Sequence, residues 1–152
     1  MWEVMKQIFP YAIAYTIPLL IAALGALYCE RSGIVNIGIE GLMIVGSFAG
    51  ALSISKLQEA GVPGALWIGL LIAALAGMLF SLLHAFASIN LSANQTISGT
   101  AINMIAGALT VFLARNFTGS GNIRVTLGFI PKDIPVLSKI PVIGPLLFTR
   151  SY

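Results

Sequence analysis

Charge is what this sequence most lacks. Only 9% of its 152 residues are Asp, Glu, Lys or Arg, where a soluble domain carries about a quarter. With 58% apolar residues and a mean hydropathy of +0.97, the chain cannot cover its own surface with polar groups. Lipid is the partner such a surface fits. A single cysteine, Cys29, excludes an internal disulfide framework and has no metal-ligand spacing; it reads as a small packing residue. One histidine, His84, is no metal site, and its place beside Ser81 and Ser88 suggests hydrogen bonding within a bundle. The net charge of +3 forms no basic stripe and accompanies no nucleic-acid motif, so nucleic acid is not a partner. There is no P-loop or nucleophile elbow, and no paired-carboxylate arrangement beyond Glu30 and Glu40. The sequons at Asn90, Asn94 and Asn116 are short enough to arise by chance.

What is present is apolar length. A membrane-spanning helix needs roughly 20 mostly apolar residues, and four stretches qualify: about 8–28, 34–54, 65–89 and 96–114. The first is too long for a signal-peptide core and is followed at once by a second. Pro10 is expected in its first turn, where a missing N–H costs little, and Pro18 is expected to kink it. Residues 56–64 and 90–96 read as polar connections. After 114 the character changes: glycines, then Pro131, Pro135, Pro141 and Pro145, predict a surface loop over 115–152 with no continuous helix. The fold class is therefore all-α, a polytopic transmembrane bundle. Small residues at packing intervals (Gly46 and Gly50; Gly69, Ala73 and Gly77) predict close helix contacts.

The polar residues inside the apolar stretches carry the functional question. A charge at the bilayer centre costs about 2.5–3.5 kcal/mol on insertion scales and persists where it meets protein or water. Asn36 and Glu40, four apart, are expected on one face of the second helix, continued by Met43 and Ser47 and turned inward. In one reading Glu40 fixes a helix break; in the other the stripe lines a solute path; an intramembrane proton carrier is a third. Gly33, Gly38 and Gly41 favour an interrupted or closely approached helix. Glu30 and Arg31 mark the water boundary, or form an ion pair at a re-entrant turn. Asn94, Gln95, Thr96, Ser98, Gly99, Thr100 and Asn103 open the fourth helix with many donors, fitting either caps or solute contacts.

ERSGIVNIGIEGLMIVGSF at 30–48 resembles a signature of permease subunits from ATP-binding-cassette importers, in the branch that groups simple-sugar, nucleoside and branched-chain amino-acid permeases. The nucleoside type is the most similar. INLSANQTISGTAINMIAGAL at 89–109 is a second match, and IPVIGPLLF at 140–148 a weaker third. The resemblance implies broken helices and two permease subunits around a pathway in the inner membrane. It also implies a pair of cytoplasmic ATPases that bind the ATP, and an extracytoplasmic binding protein or lipoprotein that delivers a nucleoside or similar small polar solute. No cofactor is bound by the permease itself, which is not an enzyme. Asn36, Glu40, Asn94, Gln95, Ser98 and Asn103 are the residues it puts near the pathway or the helix break. It also implies a chain about twice this long, so 1–152 is expected to be an N-terminal half, completed by a further helix or a second polypeptide.

Two rivals stand beside it: a transporter or channel driven by an ion gradient with Glu40 as its ionisable group, and a membrane assembly subunit that transports nothing. Orientation divides the signals too. Lys6, Lys56, Arg115, Arg124, Lys132, Lys139 and Arg150 share one side against Arg31, which by the positive-inside rule is cytoplasmic. The resemblance implies a tail outside, and that topology is preferred.

Overall fold

The computed structural model describes residues 1–130, 136–139, 141 and 146. Among them the regular structure is entirely helical: α1 (Trp2–Arg31), α2 (Ile39–Glu59), α3 (Ala65–Ala85) running on into a π-helical turn (Phe86–Asn90), and α4 (Gln95–Thr118), with a short 3-10 turn at Leu137–Lys139. Four helices are long and apolar enough to cross a membrane. The chain is thus a multi-pass membrane protein of the expected all-α class. It divides into two compact units, Ala26–Gly128 in one and Met1–Gly25 with Phe129–Tyr152 in the other.

In the second of these units the helix is the amino-terminal part of α1. It begins at Trp2, so Pro10 is interior and not in the first turn. Helical assignment is continuous through both Pro10 and Pro18, although each ring removes a backbone donor. Polar residues at its start, including the Glu3–Lys6 pair at 3.0 Å, extend the helix beyond the apolar run that a hydropathy window sees. The prolines at 131, 135 and 145 and most of 140–148 lie outside the described residues.

In the larger unit α2 is central. α3 runs antiparallel to it: a methyl on Gly50 would lie 2.9 Å from Ala73 Cβ, one on Gly46 3.1 Å from Ala73 O, and one on Gly69 would collide with the Ile54 side chain. The two small-residue stripes therefore face each other. Lipid supplies no hydrophobic drive between helices, so close van der Waals contact takes its place. α4 packs on the other side of α2 and runs parallel to it, Gly38 and Gly41 lying against Gly99, Ile102 and Asn103. The interior is small and the outside large: Ala65, Ile102, Ala106 and Ala114 are the buried apolar residues, while Trp67 is 70% exposed.

α2 starts five residues later than its apolar run. Ile39, not 34, opens it, and it continues through Lys56 and Glu59 to a glycine at 61. α1 ends before it in a Schellman arrangement, with Gly33 N–H on Glu30 O at 3.0 Å and Ile34 N–H on Cys29 O at 3.1 Å. Gly33 has φ +84°, a conformation that residues with a Cβ adopt at a cost. Residues 34–37 are then non-helical. At the other end of α2 and α4, Gln58 straps the loop after α4. Its Oε1 accepts from Thr126 N–H at 3.0 Å and Leu127 N–H at 3.2 Å, and its Nε2 donates to Leu127 O at 2.6 Å. The 56–64 connection and the end of α4 thus lie at the same end of the bundle, as four crossings require.

Candidate functional site

Non-helical backbone beside apolar helices poses an accounting problem. Each unpaired N–H or C=O left in hydrocarbon costs several kcal/mol. Residues 33–41 meet it with side chains from α3 and α4. Gln95 Oε1 accepts from Val35 N–H at 2.7 Å, and its Nε2 makes a longer contact of 3.4 Å to Gly33 O. Asn103 Nδ2 donates to Ile37 O at 3.1 Å. Asn36 Oδ1 accepts from Gly38 N–H at 2.9 Å.

His84, only 3% exposed, completes the clasp. Its Nε2 lies 3.3 Å from Val35 O and its Nδ1 3.0 Å from Ser98 Oγ. A carbonyl oxygen only accepts, so Nε2 donates to Val35 O, while Nδ1 and the Ser98 hydroxyl share the second hydrogen bond. One imidazole thereby ties α3, α4 and the 33–37 segment together.

The amino end of α2 is capped from another helix. Its N-cap residue is Gly38, which has no side chain to offer. The orphan N–H of Gly41 is taken instead by Asn103 Oδ1 at 2.7 Å. Close approach makes this reach possible: a methyl on Gly41 would lie 2.9 Å from both Ile102 O and Asn103 Oδ1, and one on Gly99 would lie 2.9 Å from Gly38 N.

Gln95, Ser98 and Asn103 are thus brought together on the 33–41 segment, with Asn36 beside them. Asn94 is not; it is exposed and caps its own helix, its Oδ1 accepting from Ile97 N–H at 3.1 Å. Asn36 and Glu40 do not share a helical face, because α2 begins only at Ile39. Nor does the stripe turn inward. Glu40, Met43 and Ser47 are exposed, and the side of α2 against its neighbours is Gly41, Gly46 and Gly50. The sequence marks His84 as a bundle hydrogen-bonder but not as part of the site. Its being the one histidine among apolar turns, in register with Ser81 and Ser88, is the available signal.

Glu40 makes no hydrogen bond or ion pair among the described residues. It stands in the first turn of α2, where the helix dipole favours a carboxylate. Its flank can be identified. Ile44 and Phe48 of α2 line a groove with Val111 and Arg115 of α4. Glu40 is one turn before Ile44, and Ser47 is two turns beyond Glu40. On α4, Thr100 and Gly107 lie on the strip that continues through Val111. Glu40, Ser47 and Thr100 are all exposed, so one flank of the α2–α4 pair carries three polar side chains among exposed apolar ones, Met43, Met104 and Val111. Among the described residues no three His, Cys, Asp or Glu side chains group as a metal site.

The family description "branched-chain amino acid transport system / permease component" matches residues 8–139. The guanosine ABC transporter permease protein NupQ of Bacillus subtilis (strain 168) is 43% identical over 99% of this chain and 47% of its own length. The nucleoside ABC transporter permease protein NupC of Lactococcus lactis subsp. cremoris (strain MG1363) is 41% identical over 91% of this chain and 44% of its own. A putative glucose ABC transporter permease protein, TsgC13 of Haloferax volcanii, is 33% identical over 88% of this chain and 39% of its own. The chain spans about half the length of the first two of these relatives. No solved structure matches it. Sequence, helical architecture and the span of the match agree, and the chain belongs to the family of branched-chain amino acid transport system permease components.

Proposed function

We propose that this chain is a transmembrane permease subunit of an ATP-binding-cassette importer in the inner membrane, passing a nucleoside or similar small polar solute. The observation that carries the reading is Glu40: an exposed carboxylate with no described partner, on the flank of α2 that also bears Ser47 and faces the same way as Thr100 of α4. An unpaired carboxylate is favoured where that flank meets water or a polar solute and disfavoured where it meets lipid. The solute class follows the two relatives that are more than 40% identical, both named for nucleosides. The partners follow the resemblance to importer permeases: a separate ATPase subunit that binds ATP, a second permease subunit, and an extracytoplasmic binding protein or lipoprotein. The chain supplies the passage and no chemistry of its own. The clasp at 33–41 has the role of fixing the break between α1 and α2, with the amino end of α2 capped by Asn103 and packed on α4.

Uptake of labelled nucleoside into proteoliposomes holding the assembled complex tests this. ATP-dependent uptake is expected. Uptake that follows a proton gradient and ignores ATP would mean an ion-driven transporter instead, and no uptake under either condition would leave the assembly role.

A further inference from the structure

The turn that follows α3 is not an α-turn. Phe86–Asn90 is π-helical, closed by Leu91 N–H on Phe86 O at 3.2 Å. A bond that reaches five residues back, where an α-helix reaches four, leaves room for one extra residue in the turn. Two costs accompany it. The Ser88 Oγ atom is buried and has no hydrogen-bond partner among the described residues. Ser92, two residues past the turn, sits at φ +50°, a left-handed conformation that is strained for a residue with a Cβ.

An α register would remove both costs. Helical hydroxyls in this chain bond the carbonyl four residues back: Thr16 on Ala12 O at 2.7 Å, Thr100 on Thr96 O at 2.9 Å, Thr110 on Ala106 O at 2.7 Å and Thr118 on Ala114 O at 2.8 Å. For Ser88 that carbonyl belongs to His84, and the wider π-turn leaves the bond unmade. In the α register Asn90 N–H takes Phe86 O in place of Leu91, and one residue of chain passes into the 91–94 connection, where Ser92 is then free to leave positive φ.

That slack arrives next to the clasp. Gln95 is the first residue of α4, and its Oε1 holds Val35 N–H at 2.7 Å. One residue spans about 3.3–3.6 Å of extended chain, enough to carry Gln95 out of hydrogen-bond reach. His84 lies before the turn and Asn103 deeper in α4, so both keep their places while the start of α4 moves.

We infer that the Phe86–Asn90 turn is a one-residue register switch that opens and closes the clasp at its Gln95–Val35 bond. In the π register the bond is made, Ser88 is unsatisfied and Ser92 is strained. In the α register Ser88 is bonded, Ser92 is relaxed, and Val35 N–H is released to water or solute. Gains on each side offset losses on the other, so a small bias moves the element between two packings. The switch does not depend on which solute the complex passes.

Hydrogen exchange of the 33–37 backbone, read by mass spectrometry on the assembled complex in lipid nanodiscs, tests it. Ser88→Ala deletes the hydroxyl that only the α register satisfies, and Ser92→Gly removes the strain of the π register. Each variant is expected to hold the turn in the π register and to slow exchange at Val35 about tenfold or more, with exchange within α2 unchanged. Exchange at Val35 that is unchanged or faster in S88A overturns the switch. Slowing in S92G alone also overturns it, since a strained corner has then been relieved with no register behind it. Slowing in S88A that extends equally through α2 is general stabilisation and overturns it too.

Discussion

Asn103 reaches from the third turn of α4 to the backbone of Gly41, accepting its N–H at 2.7 Å, and in doing so caps a helix more than sixty residues earlier in the chain. The same amide donates to Ile37 O at 3.1 Å. One side chain thus satisfies both a donor and an acceptor at the break before α2.

Replacing Asn103 with Leu strands both groups. Each orphaned backbone group costs about 1–3 kcal/mol, so Asn103→Leu is expected to lower stability by roughly 2 kcal/mol or more. Asn103→Asp keeps the acceptor for Gly41 and should lose less. Thermal melts of the detergent-solubilised protein rank the two; equal losses would mean that the Gly41 bond contributes little.

Two glycines of α4 should respond in opposite directions to the same methyl. At Gly99 it would meet Gly38 N at 2.9 Å and Ile37 Cβ at 3.2 Å, whereas at Gly107 nothing lies within 4 Å. Gly99→Ala is expected to destabilise by about 1–3 kcal/mol, since backbone cannot step aside as a side-chain end can. Gly107→Ala is expected to be neutral or to stabilise by up to about 1 kcal/mol through helix propensity. The same melts decide it, and a loss at both positions would contradict the packing described.

Glu40→Leu separates a transport role from a structural one. The carboxylate has no described partner, so the variant is expected to insert and accumulate normally and to lose no more than the helix-dipole contribution of about 0.3–1 kcal/mol. Nucleoside uptake by the assembled complex should fall. A melting point depressed as far as that of N103L, or uptake unchanged at equal abundance, would remove Glu40 from the pathway.

Gln58→Ala should loosen the loop after α4 and little else. The amides of Thr126 and Leu127, both held by Gln58 Oε1, are expected to exchange with solvent about tenfold faster or more, while amides in the middle of α2 keep their protection. Exchange followed by mass spectrometry reads this directly, and unchanged rates at 126–127 would show the strap to be dispensable.

How much of this is readable from the residues follows from the range of the interactions. Apolar length locates the four long helices among the described residues, and the four-residue spacing of Gly46 and Gly50, and of Gly69 and Ala73, discloses closely packing stripes, because both signals repeat along a single segment; that the two stripes face each other is not in the spacing. The start of α2 is not legible, because Ile34, Val35 and Ile37 remain apolar. What keeps them from continuing a helix is amides supplied by Gln95 and Asn103, which no local pattern can report. Asn36 and Glu40 read as sharing a face for the same reason: their spacing is helical, but the backbone from 34 to 37 is not. Gln58 reads as part of a polar connection, and its partners lie 68 and 69 residues away. The cluster that opens α4 stands out in the sequence as dense in donors, but spacing cannot tell Asn94, a local cap, from Gln95 and Asn103, which serve another segment.

The clasp also sets a timetable for biogenesis. Val35 is translated 60 residues before the Gln95 that pairs with it, and at about 5–20 residues per second that is a delay of about 3–12 seconds. Throughout that interval the bare peptide groups at 33–37 lack their final partners and must be hydrated or sheltered by the insertion machinery. The 33–37 segment therefore enters the bilayer unfinished, and the emergence of α4 from the ribosome supplies the partners that complete it.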